Sequence, residues 1–255
     1  SKQKNEINHK KRFHFYIFKN KNIRMKHIIF SFVLLASTFV VKAQTADEVI
    51  AKHIEAIGGA DNWKKVNSVK LEGTMQVQGA TVSMTQTVLH GKGNRQDISF
   101  AGMNGFLIVA PTTGWSFMPF QGQTAPEAMT AEAVAEAQAD LDAQGNLIDY
   151  AAKGHTVEYI GKDDVDGTEA HKLKVNLKSG KSETMLFDAK SYLLIRLVST
   201  QKADGKEMEV ITNFSNYEKT PEGIMVAKSI GLPFGEMNIN KVTINGSVDE
   251  AIFKN

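Results

Sequence analysis

The stretch Val69-Lys70-Leu71-Glu72-Gly73-Thr74-Met75-Gln76-Val77 decides the fold. Val69, Leu71, Met75 and Val77 alternate with Lys70, Glu72, Thr74 and Gln76. That is a period of two, in which successive side chains leave a strand on opposite faces, so one face is covered and the other wet. Gln78-Gly79-Ala80 turns the chain, and Val82, Met84 and Val88 carry a second strand. Gly91-Lys92-Gly93-Asn94 turns it again, and strands follow over Arg95 to Phe100, Gly105 to Ala110 and Gly114 to Phe117. Such short turns between neighbouring strands predict an antiparallel meander.

The same signature returns later. His171, Leu173, Val175 and Leu177 alternate with Lys172, Lys174, Asn176 and Lys178, and Ser179-Gly180-Lys181 turns into Glu183 to Phe187. Tyr192 to Val198 is apolar at nearly every position, with Arg196 the exception, which predicts a strand covered on both faces. His155 to Ile160, Glu207 to Phe214, Ile224 to Ile230 and Met237 to Ile244 complete the set. About ten or eleven antiparallel strands must manage their edges by closing, by sandwiching, or by curving under helices.

Two helical stretches favour the last solution. Thr45-Ala46-Asp47-Glu48 is a capping box. Ile50, Ile54 and Ile57, with His53, then recur at helical spacing until Gly58-Gly59 stops the helix. Thr124-Ala125-Pro126-Glu127 reads as a second capping box, opening an Ala-rich helix to about Ala143 and closed by Gly145. Its large apolar residues are few: Met129, Val134 and Leu141. A further helical piece is predicted over Leu147 to Ala152. The fold class is therefore mainly β (α+β): a strongly curved antiparallel sheet of about ten or eleven strands with helices covering its concave face. A gap between helices and sheet is a pocket.

Charge is unevenly placed along the 255 residues. Residues 1–43 carry ten of the 30 Lys and Arg but one of the 28 acids, so residues 44–255 hold 20 basic and 27 acidic groups, a net of −7. An acidic body repels phosphate backbones, which argues against nucleic acid as a partner. The absence of cysteine excludes disulfides, thiolate metal sites and thiol nucleophiles. Met25-Lys26-His27, the apolar run Ile28 to Val41 and Val41-Lys42-Ala43 match a secretory signal over 25–43 with cleavage before Gln44. The run falls short of the roughly 20 apolar residues of a membrane span. Residues 1–24 are an extension upstream of that start and not native to the mature protein. The remainder, 44–255, reads as a single domain.

Catalytic and metal motifs are missing. The histidines His53, His90, His155 and His171 form neither HExxH nor a His-x-His pair, and no GxSxG, P-loop or GxGxxG occurs. Asp163-Asp164-Val165-Asp166-Gly167 lacks the alternating carboxylates and distal glutamate of a calcium loop and reads as a strand turn. No cofactor, no metal and no enzymatic activity are expected. Nine of the ten methionines follow residue 43, among them Met75, Met84 and Met185. Flexible, polarizable thioethers can repack around a ligand of no fixed shape, or simply fill a core. Phe106, Trp115, Phe117 and Phe120 flank the Ala-rich insertion, as a cavity mouth or as aromatic core.

Three segments together resemble the periplasmic lipoprotein-carrier (LolA/LolB-like) superfamily in its Bacteroidetes-type branch. The first is Ile54-Glu55-Ala56-Ile57-Gly58-Gly59-Ala60 through Trp63 and Val66 to Val69-Lys70-Leu71-Glu72-Gly73-Thr74-Met75. The second is Val165-Asp166-Gly167-Thr168-Glu169-Ala170-His171 with Phe187-Asp188 and Leu193-Leu194-Ile195-Arg196. The third is Phe214-Ser215-Asn216-Tyr217, Gly223-Ile224 and Val242-Thr243-Ile244-Asn245 to Phe253. The resemblance implies a strongly curved, unclosed antiparallel β-barrel with a helical lid over an apolar cavity that holds lipoprotein acyl chains in transit between membranes. It also implies a rim arginine that helps set the lid, matched here by Arg95. The ligand-binding set is then Leu71, Met75, Val82, Met84, Arg95, Phe106, Trp115, Phe117, Met129, Met185 and Leu194. The implied partners are an acylated lipoprotein or lipid and inner- or outer-membrane transport components, bound by a monomer. Without a cysteine to lipidate, a soluble carrier is favoured over an anchored acceptor. A non-shuttling envelope binding or sensor domain using the same cavity, and an enzyme on the same fold, remain the alternatives.

Overall fold

The computed structural model describes residues 45–203 and 206–255. The extension 1–24, the signal 25–43 and cleavage before Gln44 lie outside the described residues.

The first capping box forms as expected. The Thr45 hydroxyl accepts from Glu48 N, and the Glu48 carboxylate accepts from Thr45 N, opening helix α1 (Ala46–Ala56). Its buried face is Val49, Ile50 and His53. The helix ends on Gly58, whose φ of 114° suits glycine; a Cβ there would meet the Gly223 carbonyl at 2.4 Å. A one-turn helix, α2 (Ala60–Trp63), follows, and Trp63 Nε1 donates to the Ile57 carbonyl at 3.0 Å.

Among the described residues, thirteen strands form one antiparallel sheet. The first meander is β1 (Ser68–Val77), β2 (Ala80–Leu89), β3 (Gly93–Phe100), β4 (Met103–Val109), β5 (Gly114–Phe117) and β6 (Glu127–Ala128). The second is β7 (Thr156–Val165), β8 (Thr168–Asn176), β9 (Ser182–Asp188), β10 (Leu194–Ala203), β11 (Lys206–Lys219), β12 (Met225–Leu232) and β13 (Gly235–Ile244). The first runs outward from the middle of the sheet to edge β6. The chain then crosses to the opposite edge, β7, and the second meander returns to the middle, where β13 pairs with β1. Edges β6 and β7 do not pair, so the curved sheet is unclosed. The crossing segment, residues 129–155, must therefore pass over one face of the sheet.

The expected Ala-rich helix is shorter than its composition predicts. Glu127 and Ala128 instead pair with Ser116 and Trp115. Helix α3 covers only Ala131–Glu136, with Thr130 as its N-cap, and tightens into a 3-10 turn, η2 (Ala137–Leu141). The free edge of β5 offers unpaired backbone groups that a neighbouring segment satisfies, and this outweighs the helix propensity of a few alanines. Leu147 to Ala152 forms turns, with Asp149 at φ 50°. Tyr192 takes φ 59° in a turn, so β10 begins at Leu194. The turn Asp166-Gly167 between β7 and β8 has both residues at positive φ, as Asp-Gly hairpins require.

Helix α1 packs on the second meander. Val49, Ile50 and Leu147 join Leu173, Val175, Leu177, Met185 and Phe187 in the largest buried cluster. Trp63, Val66 and Ala143 close on Val88, Ile224 and Ile244 near the middle of the sheet.

Candidate functional site

The crossing segment is held at its far end. Gly91 N donates to the Leu141 carbonyl at 2.8 Å, Asn94 Nδ2 to the Asp140 carbonyl at 3.2 Å, and Gln144 Nε2 to the Lys64 and Val66 carbonyls. Tyr150 Oη donates to Asp47 Oδ1 at 2.5 Å, tying the segment to α1. Its near end rests on less. Val134 is the one buried residue of α3, and the small Ala137 packs with Val109, Leu141 and half-buried Met129. Met129 reaches in because position 114 is glycine: a Cβ there would lie 2.5 Å from the Met129 sulfur.

Register shows which side chains share this face. Asn94 opposes Val109, and both touch the crossing segment. Counting in twos, Ile98 and Phe100 on β3 and Leu107 on β4 share it. Met84 opposes Ile98, Val82 opposes Phe100, and Met75 opposes Val82. These residues close into one apolar cluster with Leu71, Val77, Ile230, Leu232, Met237 and Ile239. Only strand residues make up the cluster. Of the helical turns, η1 (Pro119–Gln121) reaches it through Phe120, whose ring stands edge-on to Phe100 at 6.1 Å.

Apart from Met129, which packs beside α3, the expected ligand residues fall into three groups. Leu71, Met75, Val82 and Met84 are brought together in that concave cluster. Met185 and Leu194 share the same face but pack in the cluster that α1 fills. Arg95, Phe106, Trp115 and Phe117 leave the sheet on the opposite face, because each is one residue out of phase with Asn94 and Leu107. There Arg95 Nε donates to both Asp97 oxygens at 2.8 and 3.0 Å, Nη1 donates to the Ile252 carbonyl at 3.0 Å, and the guanidinium lies 5.0 Å over the Phe106 ring. The C-terminal turn η3 (Glu250–Phe253) covers this face, with the Phe253 ring where a Cβ on Gly93 would sit. The structure does not bring Arg95 to the crossing segment. Alternation along a strand reveals two faces but not which one looks inward.

Two hollows lie beside the crossing segment. The larger, about 940 Å³, runs between α3, the β8–β9 turn and Thr200 and Glu207 of β10 and β11. Leu107, Met129, Ala133 and Ala137 supply its apolar wall, and Glu132, Glu136, Lys181 and Glu207 a polar one. Leu107 opposes Gln96, two residues along β3 from Ile98, so this hollow neighbours the apolar cluster. The smaller, about 590 Å³, sets Ala135, Ala139 and Leu141 beside the polar side chains of His90, Asp142, Lys153, His155, Lys178 and Ser179. Asp140 is open to solvent, yet the surrounding protein pushes its carboxyl up; burial and then the Asp140 charge push Glu183 up as well. Of the hollow-lining residues, Met129 alone belonged to the expected set. The signal for the others was topological: the long stretch without alternation between two meanders has to cross the sheet.

His171 is a core residue, 2 % exposed, stacked on Tyr192 at 5.3 Å and 3.3 Å from Tyr159 Oη. Among the described residues no cluster of His, Asp and Glu is arranged to hold a metal ion. No helix of the described residues is long and apolar enough to cross a membrane.

No family model and no curated protein matches the sequence. Solved structures do match the fold. A LolA superfamily protein from Nitrosomonas europaea superposes with a TM-score of 0.53 at 10% identity, over 84% of this chain and 99% of that one. A DUF1329 family protein from Desulfovibrio piger superposes with a TM-score of 0.53 at 13% identity, over 83% of this chain and 98% of that one. The chain therefore has a LolA-like fold: one curved, unclosed antiparallel sheet with short helices on its concave side.

Proposed function

We propose that the protein is an exported periplasmic carrier that shelters an acyl chain, from a lipoprotein or another lipid, on the concave face of its half-barrel. The observation that carries this reading is the strand-only apolar cluster around Met75, Val82, Met84 and Met237 beside a hollow of about 940 Å³. Each buried methylene of a ligand contributes about 0.8 kcal/mol, so about ten of them suffice for firm, reversible binding without any catalytic group. Thioethers at positions 75, 84 and 237 suit a ligand with no fixed shape. The short, Ala-rich α3 acts as the movable part of the cover. In this reading residues 44–255 form the mature, monomeric carrier, released by cleavage before Gln44.

Met84→Glu tests it. The residue is half-buried, so a folded variant is expected, while an unpaired carboxylate among apolar groups costs several kcal/mol. Displacement of a fluorescent fatty-acid probe should weaken at least about tenfold. Wild-type probe binding by a folded Met84→Glu protein would overturn the assignment of this face. Native mass spectrometry of protein purified from the envelope identifies the ligand.

A second reading, a domain that docks a partner without shuttling, draws on the opposite face. There Val165, Ala170, Leu186, Ile195 and Val198 form an apolar cluster, and Ile211, paired with Val198, is 44% exposed.

A further inference from the structure

The smaller hollow, about 590 Å³, carries donors that the protein itself does not use. His155 is 9 % exposed, and its Nδ1 accepts from Lys178 N at 3.0 Å. That bond places the ring proton on Nε2. Nε2 makes no hydrogen bond among the described residues, and the residue lines the hollow. Burial first, and the neighbouring Lys153 charge second, hold this imidazole below its ordinary pKa, so it is a neutral donor at pH 7. Ser179 Oγ is buried without a hydrogen-bond partner, and Ser179 lines both hollows. A buried hydroxyl is normally paired, so an orphan one calls for an acceptor. The Lys178 stem lies over Gly154, where a Cβ would touch it at 3.3 Å, and its ammonium makes no ion pair among the described residues.

The negative charge on the lining is already answered. Lys153 Nζ donates to Asp142 Oδ2 at 2.5 Å and to the Gly145 carbonyl at 2.8 Å. His90 Nδ1 sits 3.2 Å from the other Asp142 oxygen, outside hydrogen-bonding geometry. Glu183, behind the wall and bonded to Asn146, has its carboxyl pushed up by burial first and by the Asp140 charge second.

We propose that this hollow binds an oxyanion, phosphate or carboxylate, through Lys178 Nζ, His155 Nε2 and Ser179 Oγ. The inference stands apart from the acyl-chain reading, and inorganic phosphate tests it without any lipid. Donors of this kind, one of them charged, recognise an anion by charge-assisted hydrogen bonds. The anion is either free in solution or the headgroup of an acidic lipid whose tail lies elsewhere on the concave face.

The test is NMR of the His155 ring in the full chain, titrated with inorganic phosphate and, separately, with a short-chain phosphatidylglycerol. Saturation should shift the Nε2 resonance and raise the imidazole pKa by about one unit, as a nearby anion does. Lys178→Met, which keeps the stem over Gly154, should weaken binding about tenfold. Ser179→Ala should weaken it about fivefold and leave the unfolding midpoint unchanged, because the hydroxyl it removes has no internal partner. A response to phosphate assigns a free anion; a response to phosphatidylglycerol alone assigns a headgroup; either supports the site. No His155 response to either probe, or a response unaltered in both variants, overturns it and leaves Ser179 Oγ an unpaired turn hydroxyl.

Discussion

The two halves of the concave face are covered by similar means and end differently. On the second meander, α1 lays Val49 and Ile50 against Leu173, Val175, Met185 and Phe187, and most of these are 5 % exposed or less. On the first meander, α3 offers Val134 and alanines, and a hollow of about 940 Å³ is left beside it. Both helices are capped by a threonine hydroxyl, so capping does not separate them. Side-chain volume does: a helix of aliphatic residues fills the space under it, whereas a helix of alanines covers space without filling it. One half is a core and the other is a cover.

Removing volume from the filled half should therefore be the costliest change. Phe187 is 0% exposed and meets the His53 ring at 4.7 Å. Phe187→Ala should destabilise the protein by about 3–5 kcal/mol in urea unfolding, through lost burial and a cavity that α1 cannot close. A cost near 1 kcal/mol would mean that this half relaxes as easily as the other, and the contrast would fail.

The filled half should also respond to pH. His53 is 7% exposed, donates Nδ1–H to the Tyr192 carbonyl at 2.8 Å, and has its pKa lowered by burial to about 4. The unfolded chain takes up this proton at about pH 6.5 while the folded protein resists it down to about 4. The stabilising contribution is thus complete above pH 6.5 and is lost as pH falls toward 4. It amounts to roughly 3 kcal/mol. Unfolding measured at pH 7 and pH 4 should show a drop that shrinks in His53→Gln, whereas an equal drop in both proteins would place the acid sensitivity elsewhere.

The filled half was legible in the sequence and the cover was not, for physical reasons. The capping box at Thr45 and the Ile stripe predict α1 because local hydrogen bonds and helical spacing agree there. The alternation around Val69 and Leu173 predicts strands because one face is covered and the other wet. Residues 124–143 carry the same local signals, yet Glu127 and Ala128 join the sheet, because the open edge of β5 is a partner that no local pattern encodes. The wrong phase of Arg95, Phe106, Trp115 and Phe117 has a similar origin: η3 returns from the end of the chain to cover their face. A contact made across that much sequence leaves no trace in a window of ten residues.

The smallest effect is the one that measures the cover itself. Val134 is 5% exposed and is the buried anchor of α3, with its amide donating to the Thr130 carbonyl at 3.0 Å. Val134→Ala removes two methyl groups, worth about 1–2 kcal/mol at about 0.8 kcal/mol per buried carbon. In a helix this short, that loss falls on local opening more than on global unfolding. Hydrogen exchange of the α3 amides should then quicken about tenfold while the α1 amides keep their rates, since 1.4 kcal/mol is a factor of ten in an opening equilibrium. If the α1 amides quicken in step, α3 opens only when the whole molecule unfolds, and it is a lid in shape alone.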